Sequence, residues 1–404
     1  MSSNFTWHWL SWPQTATLLK AFAEQPGSLR FVGGAVRDSL VGRKMADVDC
    51  ATTLPPQNVA ALLAKAGIRC IPTGIAHGTV TAIIGEHSFE ITTLRRDIET
   101  DGRHATVIFT DNWQEDAARR DFTMNALYVD ANGTLYDYFG GQEDARAGRV
   151  RFIGEASTRI AEDYLRILRF FRFLAHFGKS QADAAALAAC EAQKEKLATL
   201  SGERIHQEWF KLMTAPNPSA SVAHMQEIGI LPFVTGQQEA DLPRLTTLEA
   251  LEAARGMAPD PLLRTAALLK SPYPFTHCKE RLKCSKAQLH LLEAMLHHAG
   301  ALAPTTSTAQ QKQLIRRLGA ELAQKSILLA WAGADEKTAQ SYRAMYTLVG
   351  SWEVPTFPVS GADLLALGIE QGPAMGQALE RLEAQWEASN YTLTRELLLQ
   401  AAKS

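Results

Sequence analysis

Cysteine is scarce and unpatterned in this chain: five in 404 residues, an odd number, with no CxxC pair. That excludes a disulfide scaffold and any obvious zinc site. No apolar run approaches the roughly 20 residues that cross a bilayer, so a membrane is not an expected partner. The opening MSSNFTWHWLSWPQ lacks the basic flank and apolar stretch of a secretion signal, and the expected location is the cytoplasm. A surplus of one charge is missing too. The net charge of −2 excludes a uniformly basic nucleic-acid coat, yet it leaves room for a local basic groove. Fixed-period repeats, low-complexity tracts and heptad arrays are absent. What remains, 46% hydrophobic and 21% charged residues, is a globular composition, and the length suits two to four domains.

The first third reads as a mixture of strands and helices. A helical stretch is expected from about Trp7 to Glu24, then a short strand Leu29–Val32 running into Gly33-Gly34 and a helix from Ala35. Asp47–Ala51 reads as a strand, and Pro55-Pro56 opens a helix closed by Gly67. The β-branched runs Thr79–Ile84 and Phe89–Leu94 flank GEHS as a hairpin. Thr100–Ala105, TDGRHA, is polar and contains Gly, which predicts a loop. From about residue 155 Ala, Leu, Glu, Gln and Arg dominate, with apolar residues recurring at three and four. That spacing predicts helices, broken near 214–219, 257–261, 271–274, 303–307 and 354–358.

Four segments carry candidate chemistry. In FVGGAVRD (Phe31–Asp38) a strand delivers two glycines to a helix start, where backbone can approach a ligand and free N–H groups face an anion. Arg37, one turn later, can add a cation on a phosphate. In Asp47-Val48-Asp49 the two carboxylates share one strand face and repel unless a cation lies between them. Hard oxygen ligands suit Mg²⁺. Glu90 in FEITTL is the candidate third acid of a two-metal site, because its strand can pair beside that of Asp47; it reads equally well as an outward strand residue. In ARRDFTMNAL (Ala118–Leu127) Arg120 can contact a phosphate, while Asp121 or Asn125 can hydrogen-bond a ribose hydroxyl.

The fourth segment, RIAEDYLRILRFFRF (Arg159–Phe173), reads as one helix with an apolar side and a ridge of Asp163, Arg166, Arg169 and Arg172 at steps of three. Three arginines exceed the acids beside them, so the ridge points to phosphate or RNA. Asp163 with Arg166 has a selective pattern. Cytosine and adenine both show an exocyclic amine beside an unprotonated ring nitrogen; a carboxylate accepts from the first and a guanidinium donates to the second. Uracil and guanine show the reverse, which such a pair rejects.

Taken in order, VGGAVRD, the DxD after it, RRDFTMNAL and EDYLRILRFFRF resemble the class II tRNA nucleotidyltransferases, the CCA-adding enzymes, and their relatives the bacterial poly(A) polymerases. The motifs span residues 31 to 173, and looser similarity runs from about 30 to 210. The resemblance implies an α+β chain: a DNA polymerase beta-like nucleotidyltransferase head (1–142), then an all-helical neck with a nucleotide-selecting helix (143–215), and a helical body and tail that bind tRNA (216–404). It implies Gly34, Arg37 and Arg120 as triphosphate contacts, Asp47 and Asp49 as ligands of two Mg²⁺ ions, and Asp121 as the sugar-discriminating acid. It implies Asp163 and Arg166 as the amino-acid template for the base, with Arg169 and Arg172 as further nucleotide contacts. Thr100–Ala105 matches the flexible loop that moves between CTP and ATP, with Asp101 and Arg103 as its polar pair.

The implied activity is template-independent addition of C, C and A to the tRNA 3′ end from CTP and ATP, with release of pyrophosphate. The implied partners are the tRNA acceptor stem and elbow, with no DNA, acting as a monomer or homodimer. Two features bear on the alternatives. There is no His-Asp doublet, so no appended phosphohydrolase is expected, and the ending RLEAQWEASNYTLTRELLLQAAKS lacks the basic extension usual in poly(A) polymerases. An RNA-binding relative without catalysis is the reading from another class, and the intact Asp47/Asp49 pair counts against it.

Overall fold

The β-branched runs near the start of the chain become a seven-stranded sheet in the computed structural model, which describes residues 7–45, 47–75, 78–100, 105–179, 181–270, 275–302 and 306–403. The strands are β1 (Leu29–Val32), β2 (Val48–Thr52), β3 (Arg69–Gly74), β4 (Thr79–Ile84), β5 (His87–Thr93), β6 (Arg95–Thr100), β7 (Ala105–Phe109), β8 (Leu127–Val129) and β9 (Leu135–Asp137). The sheet order is β3-β4-β5-β2-β1-β8-β9, and β6 with β7 forms a separate two-stranded ribbon. Within the large sheet β2 and β5 run parallel; the other neighbours are antiparallel.

Alternation along β1, β2 and β5 divides the sheet into two faces. Leu29, Phe31, Val48, Cys50, Phe89 and Ile91 face one way and pack with Trp9, Leu18, Val59 and Leu63. The last three of these come from α1 (Pro13–Ala21) and α3 (Pro56–Lys65). Val32 and Ala51 face the other way, with Leu94, Ala117 and Tyr128, and so do Asp49 and Glu90. Both α1 and α3 begin with proline at the first helical position, where its fixed φ is favourable and its missing N–H costs nothing. The same proline corrects the expected helix over 7–24. The residue before a proline is pushed extended; Trp12 has φ −69 and ψ 138, so the stretch divides into a 3₁₀ turn His8–Ser11 and α1.

Two further expectations differ from the structure. The expected loop Thr100–Ala105 is flanked by a ribbon that was not expected: Arg95–Thr100 pairs with Ala105–Phe109, with Thr100 opposite Ala105, and 101–104 lie outside the described residues. The charged run RRDIET hid this strand from an apolar-alternation reading. Asp101 and Arg103 lie outside the described residues. The helix expected over 159–173 is two helices. They follow α2 (Gly34–Leu40), α4 (Trp113–Ala118) and α5 (Gly141–Ala147) in the chain: α6 (Ala156–Glu162) and α7 (Leu165–Phe177), broken at Asp163, whose backbone is extended at φ −154, ψ 106. An aspartate before an apolar run is a helix-start signal, and here the Leu165 N–H donates to Asp163 Oδ1 at 3.0 Å.

The apolar side of α7 docks on the head through rings: Phe122 lies 4.9 Å from Phe152 and 4.9 Å from Phe173, and Phe152 stacks on Phe170 at 5.7 Å. After α7 come α8 (Ala184–Gln193), α9 (Gly202–Met213) and α10 (Pro218–Glu227). All of these belong to one unit, residues 1–240 with 276–283. The second unit, 241–275 with 284–404, holds helices only among its described residues. One cluster there forms around Ile327, Trp331, Tyr342 and Met345, and another around Leu364, Leu382, Trp386 and Leu398. All five cysteines are free. No helix among the described residues is long and apolar enough to cross a membrane.

Candidate active site

Strand register brings the acids together. In the parallel β2–β5 pair Asp49 lies opposite Glu90, and in the antiparallel β1–β2 pair it lies opposite Val32, the residue before the double glycine. Asp49 is half-buried; Asp47, just before β2, and Glu90 are exposed. Burial first, then the charges of Glu90 and Asp47, push the Asp49 carboxyl up to about 6, with Arg120 pulling the other way. Negative charge is therefore in excess at this edge, and an all-oxygen donor set in that state fits a hard divalent cation. Among the described residues no three His, Cys, Asp or Glu side chains stand as a ready-made metal cage.

At the end of β1 the backbone turns through Gly33, whose φ of 72 and ψ of −121 are open to glycine but strained for L-residues. Helix α2 starts at Gly34. Arg37, one turn in, is held from three sides. Its Nε donates to Asp38 at 2.9 Å, its Nη1 donates to Asn125 Oδ1 at 2.6 Å, and the guanidinium lies 4.2 Å from the Phe177 ring centroid.

The two arginines at the end of α4 depend on an acid that sequence reasoning passed over. Asp116, 1% exposed, accepts from Arg119 Nε at 2.8 Å, Arg120 Nη2 at 3.2 Å and Tyr128 Oη at 2.7 Å. Arg120 Nε donates to the same Tyr128 oxygen at 3.1 Å. Burial opposes charge on Asp116, yet Arg120 and Arg119, with the Tyr128 hydroxyl, hold its carboxyl down at about 2. The spacing in EDAARR, three and four residues from acid to arginine, was the available signal. Asp121 accepts from the Phe122 N–H at 2.8 Å, from Asn125 Nδ2 at 2.9 Å and from Arg169 Nε at 2.8 Å, and it also pairs with Arg169 Nη2. Burial disfavours its charge, but Arg169 and these donors keep its carboxyl below the ordinary range.

The break between α6 and α7 redistributes the expected ridge. Asp163 does not pair with Arg166. It accepts from Arg204 Nη2 on α9, at 3.0 Å to Oδ1 and 2.8 Å to Oδ2. Arg166 donates through Nη1 to the Arg159 carbonyl at 2.7 Å and pairs with Glu162. Arg159 in turn donates to the carbonyls of Arg119 and Arg120, the latter at 2.7 Å. Arg172 forms an ion pair with buried Glu208 on α9 at 2.9 Å, and Arg169 lies 4.0 Å from the same carboxylate.

One cleft of about 580 Å³ collects Gly34, Arg37, Asp49, Arg120, Asp121, Asp163, Arg166 and Arg169. Arg172, expected beside them, does not line it, because Glu208 draws its guanidinium to α9; Asp47 and Glu90 are not in its wall either. Sequence reasoning missed Arg95, Arg119 and Arg204, which do line it. Seven arginines and three aspartates make the wall strongly cationic, a charge balance that suits a polyphosphate. A larger cavity of about 970 Å³ in the second unit, with Arg244, His290, His297 and Tyr342 in its wall, holds none of the residues the sequence singled out.

Comparison with known proteins points to one family. The family model described as the poly A polymerase head domain matches residues 29–151, and the one described as the probable RNA and SrmB-binding site of polymerase A matches 183–242. The chain is 36% identical over 396 residues to mitochondrial CCA tRNA nucleotidyltransferase 1 of Mus musculus, covering 96% of this chain and 89% of the relative. It is 40% identical over 211 residues to the CCA-adding enzyme of Geobacillus thermodenitrificans, covering 52% of this chain and 51% of that one. Among solved structures, the Bacillus stearothermophilus CCA-adding enzyme in complex with CTP superposes with a TM-score of 0.74 at 26% identity, over 96% of both chains.

Proposed function

Because the chain belongs to the family of CCA tRNA nucleotidyltransferases, the CCA-adding enzymes, we propose that it completes the tRNA 3′ end by adding C, C and A in turn from CTP and ATP. The observation that supports this most directly is the single cleft shared by Asp49, the arginines Arg37 and Arg120, and the Asp163/Arg166 pair. A nucleotide bound in that cleft would meet all of these groups at once.

In this reading the tRNA 3′-hydroxyl gives up its proton to water, its oxygen bonds to the α-phosphorus, the bond from that phosphorus to the bridging oxygen breaks, and pyrophosphate leaves. Arg37 and Arg120 bind the triphosphate, while the Gly33–Gly34 backbone allows it close approach. Asp121 orders Arg169 and Asn125 beside the sugar. Asp163 accepts from the exocyclic amine of C or A, and Arg166 donates to the adjacent ring nitrogen. Asp47 and Asp49, with Glu90 as third acid, would hold Mg²⁺. Bound there, it supplies a lowered pKa for the attacking hydroxyl and neutralisation of the leaving phosphates. Positioning and charge account for most of what phosphoryl transfer needs.

The head (1–142) carries the chemistry and the neck (143–215) the selection. The body and tail (216–404) hold the acceptor stem and elbow by shape, through phosphates and 2′-hydroxyls. The expected site of action is the cytoplasm, although the mouse relative is named as mitochondrial. The test is incorporation by the purified protein, with Mg²⁺ and a tRNA lacking its 3′ end, each NTP supplied alone and in combination. The expected product is two C followed by one A. Long A tails from ATP alone would overturn the assignment in favour of poly(A) polymerase, C addition alone would reduce it to a CC-adding enzyme, and no incorporation with either Mg²⁺ or Mn²⁺ would leave an RNA-binding protein.

A further inference from the structure

The Asp163 carboxylate sits where no helix fixes it. Its backbone is extended between α6 and α7, so its orientation depends on side-chain anchors. The Leu165 N–H reaches Oδ1 at 3.0 Å, and the single nitrogen Nη2 of Arg204 spans both oxygens, at 3.0 Å to Oδ1 and 2.8 Å to Oδ2. Arg204 comes from the first turn of α9, 41 residues downstream, and lines the same cleft. Other charges around Asp163 come from Glu162 on α6, Arg166 and Arg169 on α7, and Arg119, Arg120 and Asp121 across the cleft. None of these has a hydrogen bond to its carboxylate among the described residues.

We propose that Arg204 is a specificity-determining positioning residue, acting on base choice through Asp163; the proposal rests on the reading that Asp163 accepts from the incoming base. A carboxylate offers about four acceptor sites. Leu165 takes one and Arg204 takes one on each oxygen, which leaves one on Oδ2. That remaining site matches the single amine N–H that C and A present beside their ring nitrogen. It meets the carbonyl oxygen of U or G with like polarity. Without Arg204 the side chain turns about its extended backbone and offers acceptors in more than one direction. The penalty on the wrong base then falls, because the repelled oxygen no longer faces a fixed partner. Arg204 therefore contributes to selection without contacting the base.

The experiment compares kcat/KM for CTP and for UTP on a tRNA lacking CCA in the wild type, Arg204→Gln, Arg204→Lys and Asp163→Ala, with tRNA Kd and thermal melting alongside. Arg204→Gln is expected to lower the C-over-U ratio at least tenfold with tRNA Kd within twofold of wild type. Arg204→Lys, which keeps a cation and a nitrogen able to reach both oxygens, restores part or all of the ratio. A role confined to stability would move melting and leave the ratio alone. If Arg204→Gln does not fold, Arg204→Met, which keeps an unbranched stem and removes every donor, decides: a lowered ratio in the folded variant supports the proposal and an unchanged one overturns it. If Asp163→Ala collapses the ratio while the folded Arg204 variants keep it within twofold, this inference fails and the reading of Asp163 stands. If Asp163→Ala itself leaves the ratio unchanged, the underlying reading fails and takes the inference with it.

Discussion

Asp121 on the head and Arg169 on α7 are joined through one carboxylate oxygen, Oδ2, which accepts from Nε at 2.8 Å and also pairs with Nη2. The other oxygen, Oδ1, accepts from the Phe122 N–H and from Asn125 Nδ2. These four donors fill a carboxylate's acceptor capacity, so a ribose hydroxyl reaches Asp121 only by displacing one of them. In the proposed reading Asp121 acts on the nucleotide largely through the groups it holds. Charge-assisted hydrogen bonds are worth about 1.5–3 kcal/mol, so Asp121→Asn and Arg169→Gln should each lower kcat/KM for CTP by roughly tenfold to a hundredfold. Because the two form one unit, the double variant should lose little more than the worse single one. Steady-state kinetics on the four proteins measure this; losses that multiply would show that the residues act separately.

The Asp49 carboxyl titrates near 6 because burial, Glu90 and Asp47 oppose its charge. A carboxyl raised above its ordinary value binds its proton more tightly in the folded chain than in the unfolded one, so stability falls as pH rises through that range. Asp49→Asn removes the unfavourable charge while keeping the shape. The metal-free variant should therefore melt higher than wild type at pH 7.5. Turnover should fall roughly a thousandfold or more, since the acid that would hold Mg²⁺ is gone, while tRNA affinity stays within about threefold. Melting and incorporation measured on one preparation test the opposite signs. A variant that keeps its activity removes Asp49 from the chemistry.

The head was readable because its signals are local. Gly33-Gly34 after an apolar strand, the two N-terminal prolines and the β-branched pair Thr79–Ile84 and Phe89–Leu94 each declare their conformation within a few residues. The Asp49–Glu90 pairing followed once β5 was placed beside β2. The neck was readable only in part. The apolar pattern of RIAEDYLRILRFF runs on through Asp163, so periodicity hid a break that the capping preference of aspartate marks. The partners of the selecting groups were not readable at all. Arg204 and Glu208 lie on α9, far along the chain from Asp163 and Arg172, and which acid meets which arginine depends on how α9 packs on α7.

Asp116 links acid stability to Arg119 and Arg120. Its folded carboxyl lies at about 2, below its ordinary value, despite burial, because Arg120 and Arg119 pair with it. A depressed carboxyl contributes stability that is complete above the unfolded pKa near 4 and is lost as pH falls toward 2. The contribution is about 2 kcal/mol at neutral pH. In Asp116→Asn that portion of the acid dependence should disappear: the variant should be less stable than wild type at pH 7, and the difference should shrink as pH is lowered from 4 to 2. Denaturant titrations across that range report it. The KM for CTP should rise as well, because the neutral amide ends the ion pair with Arg120 and its one oxygen cannot serve both arginines.

Two glycines separate stability from chemistry. Gly141 opens α5 against the turn Thr123–Asn125, and a Cβ there would stand 2.1 Å from the Thr123 carbonyl oxygen, which is backbone and cannot swing away. Gly141→Ala must push α5 off that turn, where Thr123 Oγ1 donates to buried Asp144 at 2.6 Å. Overpacking of this kind costs about 3 kcal/mol. At Gly33 the nearest atoms to an added Cβ are Arg120 Nη1 at 3.6 Å and the Asn125 carbonyl at 3.8 Å, ordinary contacts, so Gly33→Ala pays chiefly for a positive φ at ψ −121, about 2 kcal/mol. The order should reverse for activity. Gly33 lies in the cleft wall beside Arg120, so a methyl group there occupies space the triphosphate needs and should raise the KM for CTP at least tenfold at a temperature where the protein is folded. Folded Gly141→Ala should lose less, because α5 lies behind the turn and outside the cleft wall. Melting together with CTP kinetics on both variants decides the point, and equal KM values would remove Gly33 from the triphosphate site.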